Sequence, residues 1–190
     1  GGTLKQQAAE KNMNIYDYME ELIETVPIGS RGVMYHPYLL AGGERAPFTD
    51  SRARASYTGI SVRHTIVDIV RAAYEGVAFA MLDCYQHMPQ EIKQVTLCGG
   101  GAKSRIWRKI IANVLGIKVD ILKTEEGPGL GAAMLAAVAC GEYASVKEAA
   151  DKIVEVVETI EPEQKIVEKY NKQYNKFVQM YPTVKGLYEL

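Results

Sequence analysis

One stretch near the middle of the chain alternates twice between a strand pattern and a helix pattern. Gln94–Cys98 predicts a strand, and the following Gly99–Gly101 predicts a turn. Ser104–Leu115 then predicts a helix, Ile117–Leu122 a second strand, and Leu130–Ala139 a helix of small residues. This order joins parallel strands through a crossover, so the sequence predicts an α/β fold.

The segment before this unit predicts helices and a short β region. Apolar residues at helical spacing predict helices over residues 3–25. Val33–Leu40 is rich in β-branched and aromatic residues and predicts a strand, with Pro37 at its edge or near its end. Residues 56–60 predict a short second strand after a polar loop.

Longer helical patterns lie on both sides of the central unit. The apolar stripe from His64 to Met88 predicts one helix, with Ser61 as the expected cap at its start. The tail, Val146–Met180, predicts two amphipathic helices that are separated by Glu161-Pro162. We find no internal repeat or linker, so residues 1–190 are expected to form a single domain.

Charge and hydropathy exclude several classes of protein. Lys plus Arg total 22 against 23 Asp plus Glu, so there is no electrostatic case for nucleic acid or an anionic membrane. The longest apolar stretch, Leu130–Cys140, is well short of the ~18–20 residues that a membrane span needs. Since no signal peptide opens the chain, we expect a cytoplasmic protein. The first residues, Gly1-Gly2-Thr3, lack an initiator Met and suggest a fragment of a longer protein.

The three cysteines do not indicate a metal site. Cys84, Cys98 and Cys140 lie in apolar surroundings and form no CxxC or Cys/His cluster. We interpret them as buried, reduced thiols. The sequence therefore assigns no metal ligand.

The triple glycine is the sharpest candidate site. Gly99, Gly100 and Gly101 are expected at the carboxyl end of a strand, where open α/β sheets bind ligands. Without Cβ atoms the backbone can lie against a planar base or present N–H groups to an anion. Ser104 could donate to or accept from a bound nucleotide. A plain tight turn explains the glycines equally well, so both interpretations stay open.

Two familiar nucleotide motifs can be tested against this turn. The phosphate-binding pattern G-x-x-x-x-G-K-S/T fails, because Leu97 and Ala102 stand where its glycines should be. The dinucleotide pattern G-x-G-x-x-G fits at Gly99 and Gly101, but Ser104 occupies its third glycine position. Asp120 lies near the distance at which that pattern places an acidic residue. An NAD-binding oxidoreductase domain is therefore an alternative.

The remaining motifs favour structural roles. Small residues predict that Leu130–Ala139 is a core helix, and Glu125 and Glu126 would stabilise its N-terminus by ~0.3–1 kcal/mol. Interleaved charges in Gly42–Arg54 predict an ion-pair network that fixes a loop. The three histidines have no nucleophile pattern around them, so each is expected to be a cap or a surface residue. They are His36, His64 and His87.

Four linked motifs resemble those of the FGGY carbohydrate kinases. Tyr38–Arg54 is similar to the family's Y-L-x-G-E-R-A-P…D…A-R element, and Arg71–Phe79 to its R-A-x-x-E-G-x-A-F helix. Gly99–Trp107 resembles its G-G-G-A-x-S-x-x-W adenosine loop. Glu126–Ala137 resembles its E-G-P-x-x-G-A-A-x-L-A-A helix. The residues of the last two motifs are more similar to those of the family's xylulokinases than to those of its glycerol kinases.

The resemblance implies a ribonuclease-H-like (actin-like ATPase) domain, with a mixed sheet flanked by helices. It implies that the chain is the C-terminal, nucleotide-binding half of a two-domain sugar kinase that uses ATP and Mg²⁺. It places the adenosine on Gly99, Gly100, Gly101 and Ser104. The implied reaction is phosphorylation of a sugar, with D-xylulose going to xylulose 5-phosphate.

The same resemblance places the catalytic aspartate, the phosphate-binding loop and most sugar contacts upstream of this chain. We therefore assign no catalytic residue here and expect the isolated chain to be inactive. Its expected partners are ATP or ADP, a small sugar and its own N-terminal domain, and a homodimer is left open. A non-catalytic, sugar-responsive regulator of kinase ancestry is a further alternative.

Overall fold

A computed structural model describes residues 2–124 and 127–188. Helices and strands alternate along the described chain much as the sequence predicts. The α-helices are α1 Gly2–Glu10, α2 Ile15–Glu24, α3 Ile66–Gln86, α4 Arg105–Leu115, α5 Gly127–Ala139, α6 Val146–Ile153 and α7 Gln164–Val184. The strands are β1 Met34–His36, β2 Ser56–Thr58, β3 Gln94–Leu97, β4 Lys118–Leu122 and β5 Val156–Ile160. Three 3₁₀ turns cover Ser30–Gly32, Gly100–Lys103 and Lys185–Tyr188.

The strands form two small sheets. In the larger one the order is β3-β4-β5, with β3 and β4 parallel and β4 and β5 antiparallel. This confirms both the α/β class and the crossover, since α4 joins the two parallel strands. The sheet is mixed, as the family resemblance implies. Strands β1 and β2 form a separate antiparallel pair.

Helix α4 shows why the sequence folds locally as predicted. Ser104 is its N-cap and accepts a hydrogen bond from the Trp107 backbone N–H at 3.2 Å. Gly116 ends the helix in the left-handed conformation, with φ +67°. The buried residues Ile106 and Ile110 lie four positions apart and turn one face toward the core.

Helix α3 begins differently from the prediction. Its N-cap is Thr65, whose backbone N–H and hydroxyl both donate to the Asp68 carboxylate, at 2.8 and 2.9 Å. The expected cap, Ser61, is wrong because its backbone N–H donates to His64 Nδ1 instead, at 2.8 Å. The helix itself and its end before Pro89 are confirmed.

The core lies where α3, α4 and α7 meet the larger sheet. Phe79 on α3, Ile111 on α4 and Phe177 on α7 are each at most 3% exposed. Gly76 lets α3 approach β1 closely, because a Cβ there would lie 2.2 Å from the Tyr35 carbonyl oxygen. The glycine in the R-A-x-x-E-G motif therefore has a packing role.

The tail differs from the prediction by one strand. Two helices, α6 and α7, are confirmed, and Glu161-Pro162 does precede the second. However, Val156–Ile160 forms the strand β5 between them, because its β-branched residues extend the sheet beside β4.

Two predictions of burial are wrong. Helix α5 was expected in the core, yet none of its residues is buried, and Leu135 is 61% exposed. Cys98 and Cys140 are also exposed, while Cys84 is partly buried. The reason is local, since Cys98 follows the end of β3 and Cys140 follows the uncovered α5. Glu125 and Glu126 lie outside the described residues.

In the part of the chain that the structure describes, no helix combines the length and apolarity needed to cross a membrane.

Candidate functional site

The triple glycine lies at the edge of the candidate site, and the side chain of Arg108 holds this turn against the larger sheet. Gly99 has φ +79°, a conformation that residues with a side chain rarely adopt. Residues 100–103 then make a 3₁₀ turn with Ala102 buried. Arg108 donates to the Ala102 carbonyl and, at 2.6 Å, to Glu158 on β5. This arginine ties the turn to the sheet.

Gly100 and Gly101 present bare backbone, and they differ in what a side chain would meet. A Cβ at Gly100 would have no heavy atom within 4 Å. A Cβ at Gly101 would lie 3.3 Å from the indole nitrogen of Trp107. A substitution at Gly100 therefore fills only the space above the turn, whereas one at Gly101 also pushes on α4.

A cavity of about 770 Å³ opens above this turn. Its walls come from the start of α2, the middle of α3, the glycine turn and the first turn of α4. A space of this size suits a small organic ligand. The lining residues are Asn14, Tyr16, Asp17, Glu20, Ala73, Tyr74, Val77, Gly100, Gly101, Lys103, Ser104 and Trp107.

The α2 wall is acidic and is held in place by backbone contacts. Asn14 caps α2 by accepting from the backbone N–H groups of Tyr16 and Asp17, each at 2.9 Å. Glu20 accepts from the Arg105 backbone N–H at 3.1 Å, which fastens α2 to the start of α4. Asp17 and Glu20 thus bring carboxylate acceptors to one side of the cavity.

The α3 wall is mostly apolar. Tyr74 packs edge-on against Trp107, with ring centroids 5.2 Å apart. Burial, with a smaller contribution from the Glu20 charge, raises the pKa of Tyr74. The phenol therefore stays neutral near pH 7 and can donate a hydrogen bond to a ligand.

The comparison with known families decides what kind of domain carries this cavity. Residues 2–140 match the FGGY family of carbohydrate kinases, C-terminal domain. This chain belongs to that family. The match includes the glycine turn, α2 and α3, so every wall of the cavity lies within the family domain.

Individual members of the FGGY family are similar over most of the chain. A xylulose kinase from Staphylococcus epidermidis is 34% identical over 175 residues, which is 90% of this chain and 35% of that protein. An erythritol kinase from Brucella abortus is 33% identical over 147 residues, 77% of this chain and 28% of that protein. The chain thus spans about a third of these relatives' length.

A solved structure has the same fold. The ligand-bound xylulose kinase from Lactobacillus acidophilus superposes with a TM-score of 0.81 at 25% identity, over 99% of this chain and 39% of that one. The ribonuclease-H-like, actin-like fold expected from the resemblance is thereby confirmed.

The predicted site residues divide between two cavities. Gly100, Gly101 and Ser104 line the large cavity together, and Ser104 also caps α4. Gly99 instead lines a smaller cavity of about 210 Å³ on the sheet side of the turn. Lys103 borders both.

Sequence reasoning missed the walls that α2 and α3 contribute. Tyr16, Asp17 and Glu20 lie more than 75 residues before the glycine turn, and only the fold brings them together. The one available signal was Asn14 three positions before Asp17, a capping pattern that places polar groups at a helix start.

The acidic residue that the dinucleotide-binding alternative requires, Asp120, is already engaged within the sheet. Asp120 is 6% exposed in the middle of β4, where it accepts from Thr159 at 2.6 Å and from Gln94. Its carboxylate holds three strands together and is not placed to receive a ribose. Family membership favours the kinase over both the oxidoreductase and the regulator.

Proposed function

We propose that this chain supplies the adenosine-binding half of an ATP-dependent sugar kinase whose substrate is D-xylulose. The observation that carries the proposal is the 770 Å³ cavity over Gly100 and Gly101 in an FGGY C-terminal domain. The xylulose assignment rests on the similarity to xylulose kinases and on the wording of the last two motifs.

The cavity offers complementary groups to each part of an adenosine. The flat backbone at Gly100 and Gly101 suits the face of a planar base, and Ala73 and Val77 supply apolar contact. Asp17 and Glu20 can accept hydrogen bonds from an amino group or from ribose hydroxyls. ATP itself supplies the phosphoryl group that is transferred.

This chain does not provide the rest of the kinase chemistry. Among residues 2–124 and 127–188, no group of three or more His, Cys, Asp and Glu side chains could hold a metal ion. Mg²⁺ is usually held by one or two carboxylates together with substrate phosphates, so we propose that the metal is bound with ATP in the whole kinase. Since no carboxylate here is assigned as the base, we expect no phosphoryl transfer by the isolated chain.

The exposed helix α5 supports a partner half. Thirteen mostly small, apolar residues form it, and Leu135 is 61% exposed. Such a surface normally packs against protein. The relatives are about three times as long as this chain, and we propose that the additional part of the kinase covers α5.

Calorimetric titration with ADP and ATP tests the nucleotide site. We expect weak binding, with a Kd on the order of 1 mM, that Gly100→Val weakens at least tenfold by filling the space above the turn. Gly131→Val is the matched control, since a Cβ at Gly131 also meets nothing within 4 Å but lies on α5. Equal loss in both variants, or none in Gly100→Val, contradicts the proposed site.

A further inference from the structure

Arg108 lies behind the glycine turn, on the side away from the large cavity. It belongs to the first turn of α4 and is not among the described residues that line the 770 Å³ cavity. It lines the cavity of about 210 Å³ on the sheet side of the turn, together with Gly99 and Ala102. A change at Arg108 would therefore reach a ligand in the large cavity through the turn, not through direct contact.

The guanidinium of Arg108 connects two segments that are distant in the sequence. Its Nε donates to the Ala102 carbonyl oxygen, and its Nη1 donates to the Glu158 carboxylate on β5 at 2.6 Å. The Arg108 side chain is only 18% exposed. Because a planar guanidinium holds its N–H donors at fixed angles, the position of Glu158 helps to determine how Arg108 meets Ala102.

The glycine turn is a segment that benefits from an external anchor. Its own backbone bonds run from the Ala102 N–H to the Gly99 carbonyl at 3.1 Å and from the Ser104 N–H to the Gly101 carbonyl at 3.2 Å. Glycine has more conformational freedom than any other residue, so three in succession are costly to order. The bond from Arg108 fixes the carbonyl of the residue that directly follows them.

Glu158 holds this anchor from a well-supported strand. In the register of β4 and β5 it is paired with Ile121, which is 4% exposed and part of the core. The family match ends at residue 140, so Glu158 belongs to the tail beyond it. A residue of the tail thus reaches the back of the glycine turn through Arg108.

We propose that Arg108 is a positioning residue for nucleotide binding and that Glu158 on the tail holds it in place. This inference rests on the proposed function. Arg108 orders the turn in the free chain, so the backbone at Gly100 and Gly101 already has the shape that receives the base. The entropy lost in ordering the glycines is then lost on folding and not on binding, which strengthens the affinity for the nucleotide.

Titration of the whole chain with ADP, for the wild type and Arg108→Met, tests this role. Methionine keeps an apolar stem and removes both donors, and we expect ADP to bind about fivefold more weakly. In the free variant, the amide NMR signals of residues 99–104 should shift. A merely structural role would lower the urea midpoint and leave the Kd of the folded chain unchanged, so both quantities are measured. Arg108→Lys, which keeps the charge, should recover part of the affinity.

Two glutamates beside β5 provide a matched pair of further variants. The Glu158 side chain is 52% exposed and pairs with Arg108 at 2.6 Å, whereas the Glu155 side chain is 58% exposed and pairs with Lys123 at 2.7 Å. Glu158→Gln should weaken ADP binding about twofold and shift the signals of residues 99–104. Glu155→Gln should change neither. Glu158→Gln also keeps the test valid if Arg108→Met does not fold.

The results distinguish a failure of this inference from a failure of the proposed function. If the wild type binds ADP and the Kd is unchanged in Arg108→Met or, should that variant not fold, in Glu158→Gln, the positioning role is overturned alone. An equal loss of affinity in Glu155→Gln also overturns it. If the wild type does not bind ADP, the proposed function fails and the role in binding fails with it. Shifts of residues 99–104 in the free variants would then still show that Arg108 and Glu158 hold the turn.

Discussion

Glu75 joins three segments that are distant in the sequence. One carboxylate oxygen accepts from the Gly29 backbone N–H, Arg71 and Tyr170, at 3.0–3.1 Å. The other oxygen accepts from the Ser30 hydroxyl at 2.9 Å. Gly29 and Ser30 both have positive φ, so the network holds a turn that the backbone alone would disfavour. The R-A-x-x-E-G motif is thus structural here.

Glu75→Gln should lower the free energy of unfolding by about 3 kcal/mol, because it leaves the buried Arg71 charge without its partner. Urea unfolding measures this change. The control is Glu91→Gln at a carboxylate whose side chain is 80% exposed, where less than about 0.5 kcal/mol is expected. Similar small losses in both variants would contradict the structural role.

His36 should make stability depend on pH. The sequence predicts a cap or surface residue here, but the side chain is 1% exposed and that expectation is wrong. Burial lowers its pKa to about 4 in the folded chain, below the ordinary value of 6.5, so the unfolded chain takes up the proton first. The stabilisation is complete above pH 6.5 and falls by about 3 kcal/mol as the pH drops from 6.5 to 4. Asp50 also has a lowered pKa in the folded chain. The stabilisation from this carboxylate is lost only when the pH falls below the ordinary pKa of an aspartate, which is more acidic than the interval in which His36 titrates.

Urea midpoints at pH 7 and pH 4.5, measured for the wild type and His36→Phe, isolate this contribution. The wild type should lose more stability than the variant across this interval, since other groups titrate in both. Parallel losses would mean that His36 has the same pKa in the folded and unfolded chains, which contradicts this account.

At the scale of elements, replacing a large side chain by alanine should cost little stability on α5 and much on α7. Leu135→Ala on α5 should change the free energy of unfolding by less than about 0.5 kcal/mol, because the side chain is exposed. Phe177→Ala on α7 removes a ring that is 1% exposed and should cost about 3–5 kcal/mol. Chemical denaturation compares the two. A large loss at Leu135 would mean that α5 is covered in the isolated chain.

Local signals predict some elements well. Ser104 and Gly116 mark both ends of α4, and the glycines before it mark the turn. The sequence analysis did not predict strand β5, because five residues between two helices carry little periodicity. They form a strand through pairing with β4. The apolar pattern of α5 correctly predicts a helix, but such a pattern does not tell what covers it.

The candidate site is predictable only in part for the same reason. Its glycine turn is a local feature of a strand–helix unit and can be found in the sequence. The α2 wall depends on contacts such as Glu20 with Arg105, which are 85 residues apart. Tertiary contacts of this kind leave no spacing pattern in a single sequence.

At the scale of the whole molecule, the cavity over the glycine turn lies entirely within the segment that matches the FGGY family. Helix α7 lies beyond that segment, which ends at residue 140. Helix α5 has no buried residue in this chain. Under the proposed function, the chain binds the nucleotide and docks through α5, and the other half of the kinase supplies the residues for phosphoryl transfer.

The most direct test of the central claim is an NMR titration of the ¹⁵N-labelled chain with ADP. The predicted result is saturable shifts at Gly100–Ser104 and at Tyr16–Glu20, with the amides of α5 and α7 unchanged. Residues of both segments line the proposed site. Saturable shifts confined to other regions, or none at millimolar ADP, would contradict the assignment of this cavity to adenosine.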